Sequence, residues 1–385
     1  MTVLLPAGSL ASVAAIPSST CVPGTVPGYL AGVAATSSSS AWAAGDYSTS
    51  TAVQTLIEHW NGTAWCTVAS PDPGGSSETN RLQGVAAVSS SSAWAVGSYG
   101  TSTRSHTLIE HWNGTAWNKQ ASPNPTGFSR GSLLSGVAAA SSSNAWAVGA
   151  SSHGFTSSRT LIAHWDGTAW TQVPSPNPGG TGSSSQNVLL SVAATSSSNA
   201  WAAGFYSTGT GARSLVLHWN GTAWTQQTSL NQGELESVAA ISPASAWAAG
   251  SLGGNPASKT LVEHWNGTAW SQQASPNPAG FSFGSQLAGV AATSSSNAWA
   301  VGQSLKDIGP TVAQTLIARW NGTAWAQVSS PNPGGSAGDN LLGSVYALSS
   351  SSAWAVGGYA TSPTASGHTL VVHWNGTAWT QQPSP

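Results

Sequence analysis

Charge is what this 385-residue chain has least of: nine Lys and Arg, eleven Asp and Glu, 5% of the residues, with a formal net charge of −2. Nucleic-acid binding needs clustered Lys and Arg to displace counterions, so that class is excluded. A basic membrane-surface protein is excluded on the same ground. No apolar stretch is long enough to span a bilayer, which argues against membrane insertion. Cysteine is nearly absent: Cys21 and Cys66 match no metal-ligand spacing and read as small apolar fillers, so no metal or other cofactor is expected. The few acids form no visible nucleophile–base–orienter set, so the chain reads as a non-enzyme. Such a polar, weakly charged chain would suggest disorder, but 40% hydrophobic residues and 21 Trp are far too many for that.

The tryptophans are periodic. One column sits in Ala-Trp-Ala: Trp42, Trp94, Trp146, Trp201, Trp247, Trp299 and Trp354. A second follows His or Arg: Trp60, Trp112, Trp165, Trp219, Trp265, Trp320 and Trp374. The third lies five residues on: Trp65, Trp117, Trp170, Trp224, Trp270, Trp325 and Trp379. Three columns of seven account for all 21. A residue type confined to repeat positions is used for architecture, and a repeat this long points to stacked supersecondary units.

Each unit reads as four short strands. In the first they are Val33, Ala34 and Ala35 with neighbours, then 41–45, 55–60 and 63–68. A Ser-rich turn joins the first two, and Asn61-Gly62 joins the last two. Asn-Gly between β-type runs predicts a two-residue type I′ turn, with Trp60 facing Thr63 and Glu58 facing Trp65. Alternation then places Leu56, Glu58, Trp60, Thr63, Trp65 and Thr67 on one bulky face, with Ile57, His59, Ala64, Cys66 and Val68 on a leaner one. Segments such as Ser122-Pro123-Asn124-Pro125 end each unit.

Seven such units fit an all-β fold, a seven-bladed β-propeller of four-stranded antiparallel blades over 30–385. The approximate blades are 30–81, 82–133, 134–188, 189–234, 235–286, 287–340 and 341–385. Val-Ala-Ala-x-Ser-Ser-Ser-x-Ala-Trp-Ala-Val-Gly followed by Thr-Leu-Ile-x-His-Trp-Asn-Gly-Thr-x-Trp resembles Trp-rich bacterial propeller repeats of secreted or surface proteins. It is similar in phase to WD-repeat and kelch blades, but lacks the kelch double glycine and the Ser-x-Asp-x-Gly-x-x-Trp box of sialidases. The resemblance implies an extracellular or cell-surface binding module and transfers no catalytic residue. Residues 1–29 read as a truncated, degenerate blade, with 10–15 in the first-strand column and 2–6 as a fourth strand. That segment either packs on the ring or makes a partial eighth blade. It does not read as a signal peptide, because no basic residue precedes its apolar stretch.

Function must come from sites rather than fold. The connections from second to third strand and from fourth to first vary among units, and are expected together on one face. Variable loops on a constant scaffold are where recognition sits. Tyr47, Tyr99, Tyr206 and Tyr359 stand at the loop entrance. A polar column, Gln54, His106, Arg159, Arg213, Lys259, Gln314 and His368, stands just before the third strand. Aromatic planes beside donors suit sugars; the alternative is that these residues merely face water. The column His59, His111, His164, His218, His264 and His373, with Arg319 in the sixth unit, is spread one per blade and cannot converge on one ion; it is expected to bond between blades. The Asn-Gly-Thr triplets match a glycosylation acceptor, although the turn already accounts for Asn and Gly. The expected function is a monomeric, non-catalytic module for carbohydrate or cell-surface polymer. A protein-interaction or structural surface module is the alternative, and a hydrolase or lyase with an axial site is the remaining one.

Overall fold

The computed structural model describes residues 19–21, 26–154, 156–209, 211–229, 233–253, 257–306, 312–362 and 365–385. The strands expected at 2–6 and 10–15 lie outside the described residues. The first unit shows the pattern: β1 is Ser19–Thr20, β2 Gly28–Ser37, β3 Ser40–Ser48, β4 Val53–Trp60 and β5 Trp65–Val68. Strands β2 to β5 pair antiparallel in chain order. The same four-stranded unit recurs over 79–119, 131–173, 186–227, 234–273, 284–328 and 339–382. A single parallel pair, Gly131 with Ser105, joins the second and third units into one sheet.

The first strands of all seven units line a central cavity of about 1010 Å³. Each of these strands carries a bulge after its Leu, as between Leu30 and Gly32 or Leu134 and Gly136. The extra residue kinks the strand locally and brings its carbonyl onto the second strand. A Cβ on Gly149 would lie 2.1 Å from the Leu133 oxygen, and one on Gly45 would lie 1.9 Å from that of Tyr29. The glycine that closes each Ala-Trp-Ala-x-Gly motif is therefore fixed by the bulge opposite. At the axis, neighbouring first strands nearly touch: a Cβ on Gly32 would meet Gly84 Cα at 3.0 Å. Where Ser replaces this glycine it bonds instead, Ser191 Oγ accepting from Val238 N–H and Ser237 Oγ from Val290 N–H, both at 3.1 Å.

The outer hairpin differs from the expected two-residue turn. Trp60 pairs directly with Trp65, and Glu58 with Thr67, across a four-residue loop. Asn61 Oδ1 accepts from Thr63 N–H at 2.9 Å, Thr63 Oγ1 at 2.7 Å and Ala64 N–H at 3.0 Å. The Asn side chain builds its own turn, and Gly62 supplies the positive φ of 94°. A shift of two residues keeps face parity, so Leu56, Glu58, Trp60, Trp65 and Thr67 still share a face, while Thr63 moves into the loop. The two-residue turn lies instead at the Ser-rich connection, where Ser37 pairs with Ser40.

Tryptophan joins the units. Trp42 projects toward the second unit, with ring centroids 4.9 Å from Trp112 and 5.2 Å from Trp117, the latter edge-on at 90°. It shares a buried cluster with Ala93 and Ala95, the alanines flanking the next unit's own Trp94. In Ala-Trp-Ala, then, the Trp is a knob facing the following unit. The alanines, pointing the other way, form the hole for the knob of the preceding one. The seventh unit meets the first in the same manner, with Trp354 at 5.2 Å from both Trp60 and Trp65. The second Trp column bonds within its own unit: Trp60 Nε1 donates to Ser38 O at 3.0 Å, and Trp112 Nε1 to Ser90 O at 3.1 Å. Indoles of the other two columns, such as Trp42 and Trp65, are buried without a nitrogen or oxygen acceptor for Nε1. Burying an indole contributes about 4–6 kcal/mol at most, which exceeds the ~1–3 kcal/mol cost of an unmet donor.

The proline-rich segments do more than end the units. Thr107 N–H donates to Asn124 Oδ1 at 2.9 Å, and Thr107 Oγ1 bonds Ser122 Oγ at 2.7 Å. Ser and Asn of the segment thus clamp it onto the start of the third strand. Residues 160 and 260 repeat this with Asn177 and Asn277.

The cysteines are not fillers. Thr20 pairs with Thr67, so β1 forms a fifth strand outside β5 and sets Cys21 beside Cys66. The two form a disulfide across 45 residues of sequence. Metal spacing was the wrong test for them, because a strand pairing brings them together.

Three units carry Glu inside the sheet stack, Glu58, Glu110 and Glu263, all 0% exposed. Glu263 accepts from Ser229 Oγ at 2.9 Å, whereas neither oxygen of Glu58 has a hydrogen-bond partner. Burial pushes the Glu58 carboxyl up to about 8 from 4.5.

Two predictions follow from the packing. Ala95→Leu fills the hole that receives Trp42 and should cost about 1–3 kcal/mol, seen as a lower urea midpoint; an unchanged midpoint would refute the knob-and-hole reading. Below pH 4.5 both folded and unfolded Glu58 are protonated and carry no differential cost. Between 4.5 and about 8 only the unfolded state releases its proton, so stability falls as pH rises, by about 3 kcal/mol at pH 7. Leu217 holds the matching third-strand place in the fourth unit. Glu58→Leu should therefore raise the midpoint at pH 7.5 and much less at pH 4, and an equal effect at both would refute the titration.

Candidate functional site

One end of the molecule carries both sets of variable connections. Thr51 Oγ1 donates to Ser76 O at 3.0 Å, Arg130 Nη2 to Ser102 O at 2.9 Å, and Thr156 Oγ1 to Ser183 O at 2.8 Å. Each bond ties a turn between second and third strands to a connection between units. The expected loop face is thus a knitted rim.

Tyr and polar columns meet on it because they are register partners. Tyr99 opposes His106 with rings stacked at 5.3 Å, and Tyr359 opposes His368 at 5.2 Å. Tyr206 opposes Arg213, whose side chain is exposed. Lys119 Nζ donates to Tyr99 Oη at 3.2 Å and lies 4.5 Å over its ring. Other members of the columns have internal partners. Tyr47 is buried and opposes Gln54. Gln54 Nε2 donates to Val53 O and Gly75 O, and Gln314 Nε2 to Ala313 O and Gly335 O, all within 3.1 Å. Lys259 is exposed. Arg159 lies 6.0 Å from the Phe128 ring, which also packs 4.7 Å from His153. Lys306 lies 5.4 Å from Phe281 in the same way. Phe128 and Phe281 escaped the sequence reading. Their signal was present, since both sit in Gly-Phe-Ser triplets of inter-unit connections.

The second feature is the axial cavity. Its wall is mostly Ala, Gly, Ser and Val, but Tyr29, Arg81 and Glu236 line it as well. Arg81 Nε stands 3.9 Å from Asp46 Oδ1. Burial pushes the Asp46 carboxyl up to about 6, with Arg81 pulling the other way. Burial also raises Glu236, helped by Glu234. The Tyr29 phenol is held protonated far above its usual range, by burial first and then by Asp46 and Glu236. Leu133, Val188, Leu190 and Phe205 line the same cavity. It therefore offers titratable groups from the first, second, fifth and seventh units, the last being Tyr346, and apolar ones from the third and fourth. These acids are single occurrences in a repetitive chain and carry no spacing signal, which is why sequence reasoning passed over them.

The histidine column bonds within units, not between them. His59 Nε2 bonds Ser40 Oγ at 3.3 Å and His218 Nε2 bonds Asn199 Oδ1 at 2.8 Å. Each ring lies against its own unit's Trp, as His59 does on Trp42 at 4.2 Å. Histidine and Trp are direct register partners, so the intra-unit bond is the nearest available. Among the described residues no group of three or more His, Cys, Asp or Glu converges on a common point.

No family model matches the chain, and no curated protein matches it. Solved structures do. YCF48 from Cyanidioschyzon merolae is similar over 92% of this chain and 98% of its own, with 14% identity and a TM-score of 0.52. The GH74 xyloglucanase from Xanthomonas campestris is similar over 94% of this chain, with 12% identity and a TM-score of 0.55; the chain spans 55% of that enzyme. These neighbours are β-propeller proteins, and identities this low show the fold alone. The chain has an all-β, propeller-type fold of repeated four-stranded antiparallel blades.

The Asp46–Arg81 contact is testable by titration. Arg81→Gln should move the Asp46 carboxyl above about 6, read by carboxyl-carbon NMR; an unmoved value would mean the guanidinium is not felt there.

Proposed function

We propose that residues 30–385 form a closed seven-bladed propeller that binds carbohydrate or cell-surface polymer through its loop face, without chemistry of its own. The observation that carries this reading is the repeated pairing of an aromatic ring with a nitrogen donor at one register position of that face. Tyr99 with His106 and Tyr359 with His368 are part-exposed stacks, and Tyr206 with Arg213 repeats the pairing. Apolar faces of sugars stack on rings, and their hydroxyls need donors. The Arg130–Ser102 bond ties down the turn between Tyr99 and His106, which lowers the entropic cost of binding at that pair. The Cys21–Cys66 disulfide supports an extracellular or cell-surface location, since such bonds persist in oxidising compartments. The chain acts as a monomer in this reading.

A second reading rests on the axial cavity, where Glu236 lines the wall and Asp46 stands behind Arg81, two carboxyls with raised pKa from different units. Carboxyls tuned toward neutrality are what a hydrolase or lyase would need.

A glycan array with the purified chain, followed by calorimetry, tests the first reading. The double variant Tyr99→Ala and Tyr359→Ala should weaken binding at least tenfold while keeping the thermal midpoint within a few degrees. An array without hits, with capture of one protein ligand per chain, would favour a protein-interaction surface. Bond cleavage in a polysaccharide panel, lost in Asp46→Asn or Glu236→Gln, would favour the axial enzyme.

A further inference from the structure

The face opposite the loops carries the Ser-rich turns and the Asn-Gly loops, and it is nearly the same in every unit. Arg319 breaks the repetition. Six units place His at this position, each with its Nε2 bonded to a Ser or Asn of its own second strand at 2.8–3.3 Å. In the sixth unit the Arg319 guanidinium lies over two indoles instead, 4.9 Å from Trp299 and 5.3 Å from Trp374. Its Nη2 donates to Asn297 Oδ1 and, across the junction, to Ser350 O of the seventh unit, both at 3.2 Å. The fold does not demand Arg here: His218 bonds the equivalent Asn199 in the fourth unit.

We propose that Arg319 is the anchor of an oxyanion-binding site at the junction of the sixth and seventh units. The guanidinium sits half-buried in a polar depression lined also by Thr293, Ser294, Ser296 and Asn321. Among the described residues it has no acidic partner within 4.0 Å. Among the described residues, only the donors on Nη2, of its five N–H groups, have protein acceptors. Asn321 Oδ1 is consumed by its turn, accepting from Thr323 and Ala324, which leaves its amide nitrogen to donate. A partly desolvated cation without a counter-charge, held rigid on two ring faces, favours an anion over water. The unused Nε and Nη1 N–H groups then take an oxyanion, a carboxylate or a sulfate, through charge-assisted hydrogen bonds. The site stands on the face away from the Tyr pairs, so it neither requires nor excludes the loop-face reading.

The test uses the full chain at pH 7.5 and constant ionic strength, with tryptophan fluorescence as readout because Trp299 and Trp374 lie under the guanidinium. The probes are inorganic sulfate, glucuronate and, as neutral control, glucose. Saturable quenching by an anion and none by glucose is expected. Saturation by glucuronate assigns the anion to an acidic sugar, and saturation by sulfate alone assigns it to a free oxyanion. Arg319→His, the side chain of the other units, should keep the circular-dichroism spectrum and weaken binding at least tenfold. Arg319→Lys, with charge but fewer N–H donors, should fall between. No saturable anion response in the parent chain, or the same response in Arg319→His, would overturn the proposal.

Discussion

Everything in this fold depends on one contact, an indole from the second strand of a unit pressed into the small-residue hollow of the next. Trp42 against Ala93 and Ala95, with Trp112 and Trp117 closing over it, is large enough in area to tolerate an unmet indole N–H. It also constrains the sequence on both sides. Alanine must flank the Trp, because a larger side chain would fill the hole that the preceding unit needs. Glycine must follow, because the inner strand bulges into the space a Cβ would take. Most of the repeated motif is thereby accounted for by packing alone.

That explains why the scaffold was legible from residues and the site was not. Three Trp columns and the Asn-Gly signal, Asp166-Gly167 in the third unit, located every outer hairpin, and face parity survived an error in turn length because the slip was two residues. The turn itself was misread: the Asn61 side chain competes for the donors that a two-residue turn would have used. The Cys21–Cys66 bond was missed because strand order at the outer edge of the first unit has no local signature. Arg81, Glu236 and Arg319 are single departures from the repeat. Repeat analysis ranks positions by sameness, so it is blind to them.

The departures fall at three places with different physics. The rim pairs rings with donors in water. The axial cavity buries carboxyls and shifts their titration toward neutrality. The turn face holds one cation on two indoles. A scaffold whose junctions share one design can vary each place separately, since none of these side chains occupies the alanine hollow that receives a knob.

The junction between the seventh and first units has a property of its own. Like most of the other junctions it shares no strand, its sheets coming wholly from one unit or the other. Knobs and holes are interchangeable all round, and chemistry of the faces would let any unit follow any other. Tyr29 is the exception: it reaches over Gly343 and Gly358, where a Cβ on Gly343 would meet its hydroxyl at 2.2 Å. That fit is keyed to two glycines and adds to the Trp354 contact where the first and seventh units meet.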